Sequence, residues 1–539
     1  MNGAMLLVKA LENENVEVIF GYPGVSICPF FDKLTDSSIY PVLVRHESNA
    51  AHEANGYYRT SGKVGVCVSS SGPGATNLIT GIATAYADSI PLVCITGQVK
   101  SEHMGSDLFQ EADIIGACES FVKYSYLVKN PADIPRVVNE AFYIADTGRK
   151  GPVLIDIPVD VLLKGGYEYI KPESVNLRTY KPTLKGHAVQ IKKVMEQLSK
   201  AEKPIILVGG GVKLSGAQNE VLSFSKTHNI PFVSTLMGLG IGKYDNSLYI
   251  GMVGNNGSKA ANKAINEADC LIVVGARVAD RAVKQPDLIT KDKTLIHIDI
   301  DPAEIGKNAG PNIPIVGDAK EIFKVLNSFE DVFDFSGWVQ RLNAYKQTRT
   351  GDKEKTDLYA DPKEFVSILS KRLFDDSVLV TDVGQNQIYA CANFVSAGAD
   401  FVTSGGFGCM GFSIPAAIGA KIGNKNKNVI AMCGDGAFSM SLGELSTLKQ
   451  ENLDIKIIVF NNLSLGMIKE YQHVNYNNNY TFFELNGYPR ISDIAKAFDI
   501  EYLRCDKNGD IEHCVELLMA SKESVILELI VDKEAFTSL

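Results

Sequence analysis

The sequence predicts an α/β protein built from three doubly wound, parallel-sheet domains, and three observations carry that prediction. Short apolar runs alternate with helical patterns along the chain, the rhythm of parallel strands covered by helices on both faces. The length of 539 residues exceeds what one core usually supports, so several domains are expected. Two polar stretches, at 164–185 and 348–356, interrupt the rhythm and divide the chain.

The first block, residues 1–165, opens on an amphipathic helix around Met5-Leu6-Leu7-Val8, broken too soon by Glu12 and Glu14 to be a signal peptide. Its β-rich runs are 16–19, 41–44, 65–69, 92–96 and 153–157. The second block, 186–340, carries strands at 205–208, 232–234, 270–274 and 295–300. The third, 360–539, carries them at 378–380, 429–433, 455–460 and 525–530. A content of 45% hydrophobic and 22% charged residues is that of an ordinary globular protein. The net charge of −10 argues against a nucleic-acid surface, which needs a basic face. No apolar run approaches the ~20 residues that span a bilayer, so no membrane segment is expected. The ten cysteines include no C-x-x-C pair, and Cys67, Cys94, Cys270 and Cys433 sit in apolar runs. Reduced core thiols in a cytoplasmic protein explain them better than disulfides or zinc.

The motif richest in chemistry lies in the third block. Gly434-Asp435-Gly436 follows one apolar run and Asn461-Asn462 follows the next, with enough chain between them for one helix and a parallel strand. Each is a common turn dipeptide or tripeptide on its own. Together they put a carboxylate and an amide oxygen at the carboxyl ends of neighbouring strands, where open α/β sheets bind ligands. Hard oxygen donors of this kind suit Mg²⁺ shared with a phosphate. In the first block, Gly21-Tyr22-Pro23-Gly24, Arg45-His46-Glu47 and Ser71-Gly72-Pro73-Gly74 each close a strand and outline one ligand edge. Glu47 at a helix start also suits the helix dipole. His46 and His52 have no partner at metal-ligand spacing, and His103 with Asp107 makes too small a set.

These residues resemble the thiamine-diphosphate enzymes, and within them the acetohydroxyacid (acetolactate) synthase catalytic subunits. The likeness spans nearly the whole chain. It includes Phe109-Gln110-Glu111, the run from Gly151 to Pro158, Leu236-Met237-Gly238, His297-Ile298-Asp299, Val383-Gly384-Gln385 and Met410-Gly411. The resemblance implies a pyrimidine-binding domain at 1–165, a central FAD-type domain at 186–340 and a diphosphate-binding domain at 360–539. It implies that Glu47 contacts the aminopyrimidine and that Asp435, Asn462 and the Ser464 carbonyl hold Mg²⁺. Met410 would be the apolar wedge that bends the cofactor. Pro23, Gly24, Pro73 and Asn77 would line the pyrimidine side. Val383, Gly384, Gln385 and Asn386 would line the diphosphate side, with Gly434, Gly436, Ala437, Gly466 and Met467. Phe109 and Gln110 resemble residues over the reacting carbon, and Lys123 and Arg281 match positions near the acceptor's path. A surface ion pair is the other reading for the last two.

The resemblance further implies that pyruvate is decarboxylated and its two-carbon unit added to a second 2-oxo acid, as in branched-chain amino acid synthesis. It implies a homodimer at least, in which Glu47 of one subunit faces the metal site of another, with a homotetramer and a small regulatory subunit as extensions. For the middle block it implies FAD in a structural role, touched by Arg149, Gly209, Gly210, Leu236, Met237, Gly275, Arg277, Asp299 and Asp318. The chain departs from the family pattern at Asn255-Asn256, at Val278-Ala279, at Val25 in place of a glycine, and at Tyr471 in place of a tryptophan that favours larger acceptors. A decarboxylase releasing an aldehyde, a carboligase with a different acceptor, and a cofactor-binding paralogue without chemistry are the competing readings. Decarboxylases of this type usually carry a paired histidine, and none of the eight histidines here is adjacent to another.

Overall fold

The computed structural model describes residues 1–283, 289–347, 358–395 and 398–537, so the expected second linker at 348–356 lies outside the described residues. Three six-stranded, all-parallel sheets follow one another along the chain. The first contains β1 (Val18–Gly21), β2 (Tyr40–Leu43), β3 (Gly65–Ser69), β4 (Leu92–Gln98), β5 (Tyr124–Leu127) and β6 (Val153–Pro158). The second contains β7 (Pro204–Val208), β8 (Phe232–Ser234), β9 (Tyr249–Met252), β10 (Cys270–Val274), β11 (Thr294–Asp299) and β12 (Ile313–Val316). The third contains β13 (Ser377–Thr381), β14 (Asp400–Thr403), β15 (Asn428–Gly434), β16 (Ile455–Asn461), β17 (Glu501–Cys505) and β18 (Val525–Ile530).

The side chains of central strands alternate between two cores, which is what double winding requires. On β3, Val66 and Val68 join one apolar cluster while Cys67 joins the other. On β15, Ile430 and Met432 face one cluster and Val429, Ala431 and Cys433 the other. Helices therefore cover both faces of these sheets. All ten cysteines are free, and Cys67, Cys94, Cys270 and Cys433 are core side chains. Among the described residues no helix is long and apolar enough to cross a membrane.

The strand orders are β2-β1-β3-β4-β6-β5, β12-β11-β10-β7-β8-β9 and β14-β13-β15-β16-β18-β17. In each sheet the chain winds outward one way and then the other. That reversal falls between β1 and β3, between β7 and β10, and between β13 and β15. The loops leaving those strands splay to opposite faces and open a crevice, the usual ligand position of this fold.

Five strands escape the sequence pattern: β5, β9, β12, β14 and β17, each at the edge of its sheet. An interior strand is buried on both faces and reads as an apolar run, whereas an edge strand tolerates polar residues. Exposed and half-buried positions run through β5 and most of β17. The segment 164–187 forms no helix or strand, and Tyr167, Tyr169 and Tyr180 pack it onto the first core.

The first and third domains meet through the helices Glu47–Ser61 and Ser413–Gly423. Glycine lets them approach closely. A Cβ on Gly56 would lie 1.9 Å from the Ala416 carbonyl oxygen, and one on Gly419 would lie 1.8 Å from that of Glu53. Because the first helix begins with Glu47, this contact also fixes a proposed site residue. Gly56→Ala and Gly419→Ala are each expected to destabilise the protein by about 1–3 kcal/mol through overpacking, read as a lower Tm. Gly509→Ala, whose methyl meets no atom within 4 Å, serves as the control and is expected to leave Tm unchanged.

Candidate active site

The third domain's crevice holds the Gly-Asp-Gly and Asn-Asn motifs. β15 and β16 are neighbours in parallel register, so Asp435 and Asn462 leave adjacent strands side by side. Asp435 Oδ1 accepts the Gly436 N–H at 2.8 Å and Oδ2 accepts the Asn462 N–H at 3.2 Å. Burial pushes this carboxyl up to about 6, against the main-chain donors that favour its charged form. A buried carboxylate of this kind is stabilised by a cation. Asn462 Nδ2 donates to Gln385 Oε1 at 3.3 Å, which turns its own carbonyl oxygen the other way. The Ser464 carbonyl accepts the Gly466 N–H at 2.9 Å, and Ser464 Oγ is buried without a hydrogen-bond partner. Gly466 is required by space, since a Cβ there would sit 2.0 Å from Gln385 Oε1.

Met410 stands between Gly408 and Gly411, both with positive φ, so its turn is one that L-residues rarely form. The Met410 methyl lies 3.5 Å from where a Gly436 Cβ would stand, over the Gly-Asp-Gly turn. A cavity of about 890 Å³ begins here. Val383, Gly384, Gln385, Asn386, Gly434, Gly436, Ala437, Gly466 and Met467 line it together with Asp435, Asn462, Ser464 and Met410.

The same cavity continues into the middle domain at the β7–β10 reversal. Arg149, Gly210, Leu236, Met237, Gly275, Arg277, Arg281, Asp299 and Asp318 line that arm. Gly209 lies just behind it, donating its N–H to the Val274 carbonyl at 2.9 Å. Arg149 donates to Asp301 at 3.1 Å and Glu304 at 2.8 Å, and so ties the first domain to the middle one. Burial pushes Asp299 up to about 6. Asp318 caps the helix Ala319–Leu326 and accepts Ser215 Oγ at 2.9 Å. The Gly405-Gly406 turn admits Met237 and Arg277 from the middle domain, whose side chains occupy the places of the missing Cβ atoms.

A second cluster forms in the first domain. Asn77 Nδ2 donates to Glu47 Oε2 at 2.9 Å, and Gly74 leaves room for Glu47 Oε1. Gly24 packs against Ser70 beside Pro23, and Pro73 opens the helix that bears Asn77. Gln110 presses its main chain onto Gly72, and Phe109 beside it is 88% exposed. None of Glu47, Asn77, Phe109 or Gln110 lines the cavity that Asp435 faces. Lys123 is engaged elsewhere: its ammonium donates to the Ile144 and Thr147 carbonyls and to Tyr180 Oη, closing the carboxyl end of the helix Ile134–Asp146. Burial brings it down to about 7.

Two acids that the sequence motifs did not single out hold the loops of this site. Asp382, at the carboxyl end of β13, accepts the N–H groups of Val383 at 2.9 Å, Gly411 at 3.0 Å and Ser413 at 2.8 Å. It thereby fixes the turn that presents Met410. Asp88 accepts Gly406 N–H at 2.7 Å and Gly405 N–H at 3.3 Å while paired with Arg59 at 3.0 Å. A strand-end acid directly before Val-Gly was a visible signal for Asp382; Asp88 gave none, because the glycines it holds lie in another domain. Asp382→Ala leaves three main-chain donors without their acceptor and is expected to cost about 3 kcal/mol, measured by denaturant unfolding. An unchanged unfolding midpoint would remove Asp382 as the anchor.

Comparison with known proteins agrees with this geometry. Family models described as the thiamine pyrophosphate enzyme N-terminal TPP binding domain, central domain and C-terminal TPP binding domain match residues 1–117, 191–326 and 382–529. A probable acetolactate synthase large subunit of Methanocaldococcus jannaschii is 41% identical over 99% of this chain and 92% of its own length. The acetolactate synthase large subunit of Lactococcus lactis is 40% identical over 99% and 93%. That of Corynebacterium glutamicum is 39% identical over 99% and 87%. With all three domains matched in order and such identity from end to end, the chain belongs to the thiamine pyrophosphate enzymes, in the family of acetolactate synthase large subunits.

Proposed function

We propose that this protein decarboxylates pyruvate and joins the remaining two-carbon unit to the keto carbon of a second 2-oxo acid, as in acetolactate formation for branched-chain amino acids. The observation that carries this reading is the oxygen set of Asp435, Asn462 and Ser464 at adjacent strand ends, in a cavity that Arg281 also lines. The names of the full-length relatives support the same activity. Bound thiamine diphosphate supplies the carbon nucleophile and electron sink for both halves of the reaction.

The residues fit that cofactor and its metal. Asp435, Asn462 Oδ1 and the Ser464 carbonyl are hard oxygen donors for Mg²⁺, and the orphaned Ser464 Oγ lies on the same residue. Gly434, Gly436, Ala437, Gly466, Met467 and the run from Val383 to Asn386 wall the diphosphate. Met410 would support its rings. Glu47 would hydrogen-bond the aminopyrimidine, with Asn77 fixing Oε2 so that Oε1 stays available. Pro23, Gly24 and Pro73 flank that ring. Arg281 binds the carboxylate of a 2-oxo acid in a charge-assisted pair. Phe109 and Gln110, brought by the first domain's ligand edge, would exclude water from the reacting carbon. Val25, 82% exposed, and Tyr471, 58% exposed, shape the acceptor's space.

Glu47 and Asp435 belong to separate clusters of one chain, which favours a homodimer in which each chain lends its Glu47 cluster to the other's cavity. Two such dimers give a homotetramer. The relatives' designation as large subunits favours a small regulatory partner. The middle arm of the cavity fits FAD as a structural group. Its glycine turns permit close approach, Asp299 and Asp318 offer acceptors to hydroxyl groups, and Arg149 and Arg277 offer charge to the diphosphate. The ten free thiols suit the reducing cytoplasm.

Purified protein given pyruvate, thiamine diphosphate and Mg²⁺ is expected to form acetolactate; acetaldehyde alone would make it a decarboxylase, and no carbon dioxide would end the reading. Asp435→Ala is expected to lose thiamine diphosphate on gel filtration in Mg²⁺, and full retention would contradict the metal assignment. Glu47→Gln is expected to keep the cofactor but lower kcat by about 100-fold or more. Turnover like that of the unaltered protein would remove Glu47 from the mechanism.

A further inference from the structure

The loop 100–112 carries Phe109 and Gln110, and both of its feet are tied to acids at the end of β6. At the first foot, Ser101 donates its N–H and its hydroxyl to Asp160 Oδ1, at 2.8 and 3.0 Å. At the second, Gln98 Nε2 donates to the Ala112 carbonyl at 2.9 Å and to Asp156 Oδ2 at 3.0 Å. Asp156 Oδ1 accepts Thr96 Oγ1 at 2.6 Å, and Gln98 Oε1 accepts the Val99 N–H at 2.9 Å. Every polar atom of the Gln98 amide thus serves the base of this loop or its anchor. Between the feet the loop clasps itself, with Glu111 accepting the N–H groups of Gly105 and Leu108. Two residues before the second foot Gln110 takes a φ of +61°, and its main chain rests on Gly72, where a Cβ would meet Gln110 Cα at 2.8 Å.

Asp156 is only 2% exposed, and burying an acid is costly unless the site needs it. Burial pushes it up to about 7, and nearby Asp113 adds to the shift. Its two partners both belong to the end of β4 from which the loop departs. A left-handed glutamine beside that foot stores strain of the kind that persists only when surrounding structure holds it. Asp156 and Asp160 sit on either side of the junction between β6 and the helix Val159–Leu163, so one rigid element sets the span between the feet.

We propose that Asp156 and Asp160 are positioning residues that stretch the loop 100–112 over the reacting carbon and thereby set the fate of the two-carbon unit. This rests on the carboligase reading above. With the loop held, the unit's carbon forms its new bond to the keto carbon of the second 2-oxo acid, whose oxygen takes a proton. With the loop loosened, water reaches the site, the carbon takes a proton instead, and the unit leaves as acetaldehyde. Carboligation consumes two 2-oxo acids and one proton, release of acetaldehyde consumes one pyruvate and one proton, and each route frees one carbon dioxide.

The test compares Asp160→Ala, Asp160→Asn and Asp156→Leu in the full-length protein with its cofactors. Asp160→Ala removes the acceptor for Ser101, whereas Asp160→Asn keeps an oxygen there. Asp156→Leu removes the acceptors of both Gln98 and Thr96. Asp160→Ala and Asp156→Leu are expected to raise the acetaldehyde-to-acetolactate ratio by about 10-fold or more, and Asp160→Asn to restore it. Hydrogen exchange of the peptide 100–112 is expected to speed up in the same two variants. An unchanged product ratio in a variant whose loop exchanges faster overturns the proposal, as does unchanged exchange. If Asp156→Leu fails to fold, the Asp160 pair alone decides. Failure of the unaltered protein to make acetolactate would instead overturn the carboligase reading, while the exchange measurement still tests the clamp.

Discussion

The site depends on one recurring interaction: a buried carboxylate at a strand or helix end that accepts main-chain N–H groups from a loop. Asp382 holds the Met410 turn, Asp435 holds the start of the next helix and the Asn462 turn, and Asp88 holds Gly405 and Gly406. Loops at the carboxyl ends of parallel strands carry donors that no ladder satisfies. A neutral acceptor would satisfy them as well, but a charged one makes a stronger and more directional bond. The consequence is a crevice whose walls are set by main chain and whose side chains remain available to a ligand.

The three reversals of strand order place these loops where a ligand can enter. The first and third domains are also bonded to each other directly. Glu444 of the third domain accepts Arg45 N–H and Asn49 Nδ2, both at 2.8 Å, beside Glu47 on the first. Glu53, fully buried on the same helix, has its carboxyl held well above the usual range by burial and then by Glu444. The helix that begins with Glu47 is therefore fixed from the third domain even though Glu47 does not line the third domain's cavity. Within one chain the two clusters therefore stay separate, and Phe109 and Val25 remain exposed.

The interior strands were legible because burial on both faces leaves a continuous apolar run that periodicity detects. Runs such as 429–433 and 455–460 met β15 and β16 almost residue for residue. Of the edge strands, β2 was legible and five were not. The polar positions of Glu501 and Arg504 on β17 resemble a loop until a neighbouring strand supplies hydrogen bonds. Lys123 shows the converse: a residue type that suits an anion by chemistry is used by the fold to close a helix.

The sequence by itself determined the sheet class, the two oxygen-bearing motifs that close neighbouring strands, and the side-by-side placement of Asp435 and Asn462. All of these follow from local rules, because strand, turn and helix succeed one another over a few residues and parallel neighbours share a direction. Only the tertiary structure decided that Asp88 holds Gly405 and Gly406, that Asp156 reaches Ala112 through Gln98, and that the middle and third crevices form one cavity. Those pairings join residues far apart in the chain. Neither partner carries a local pattern that names the other, so the folded cores alone bring each acid to its amides.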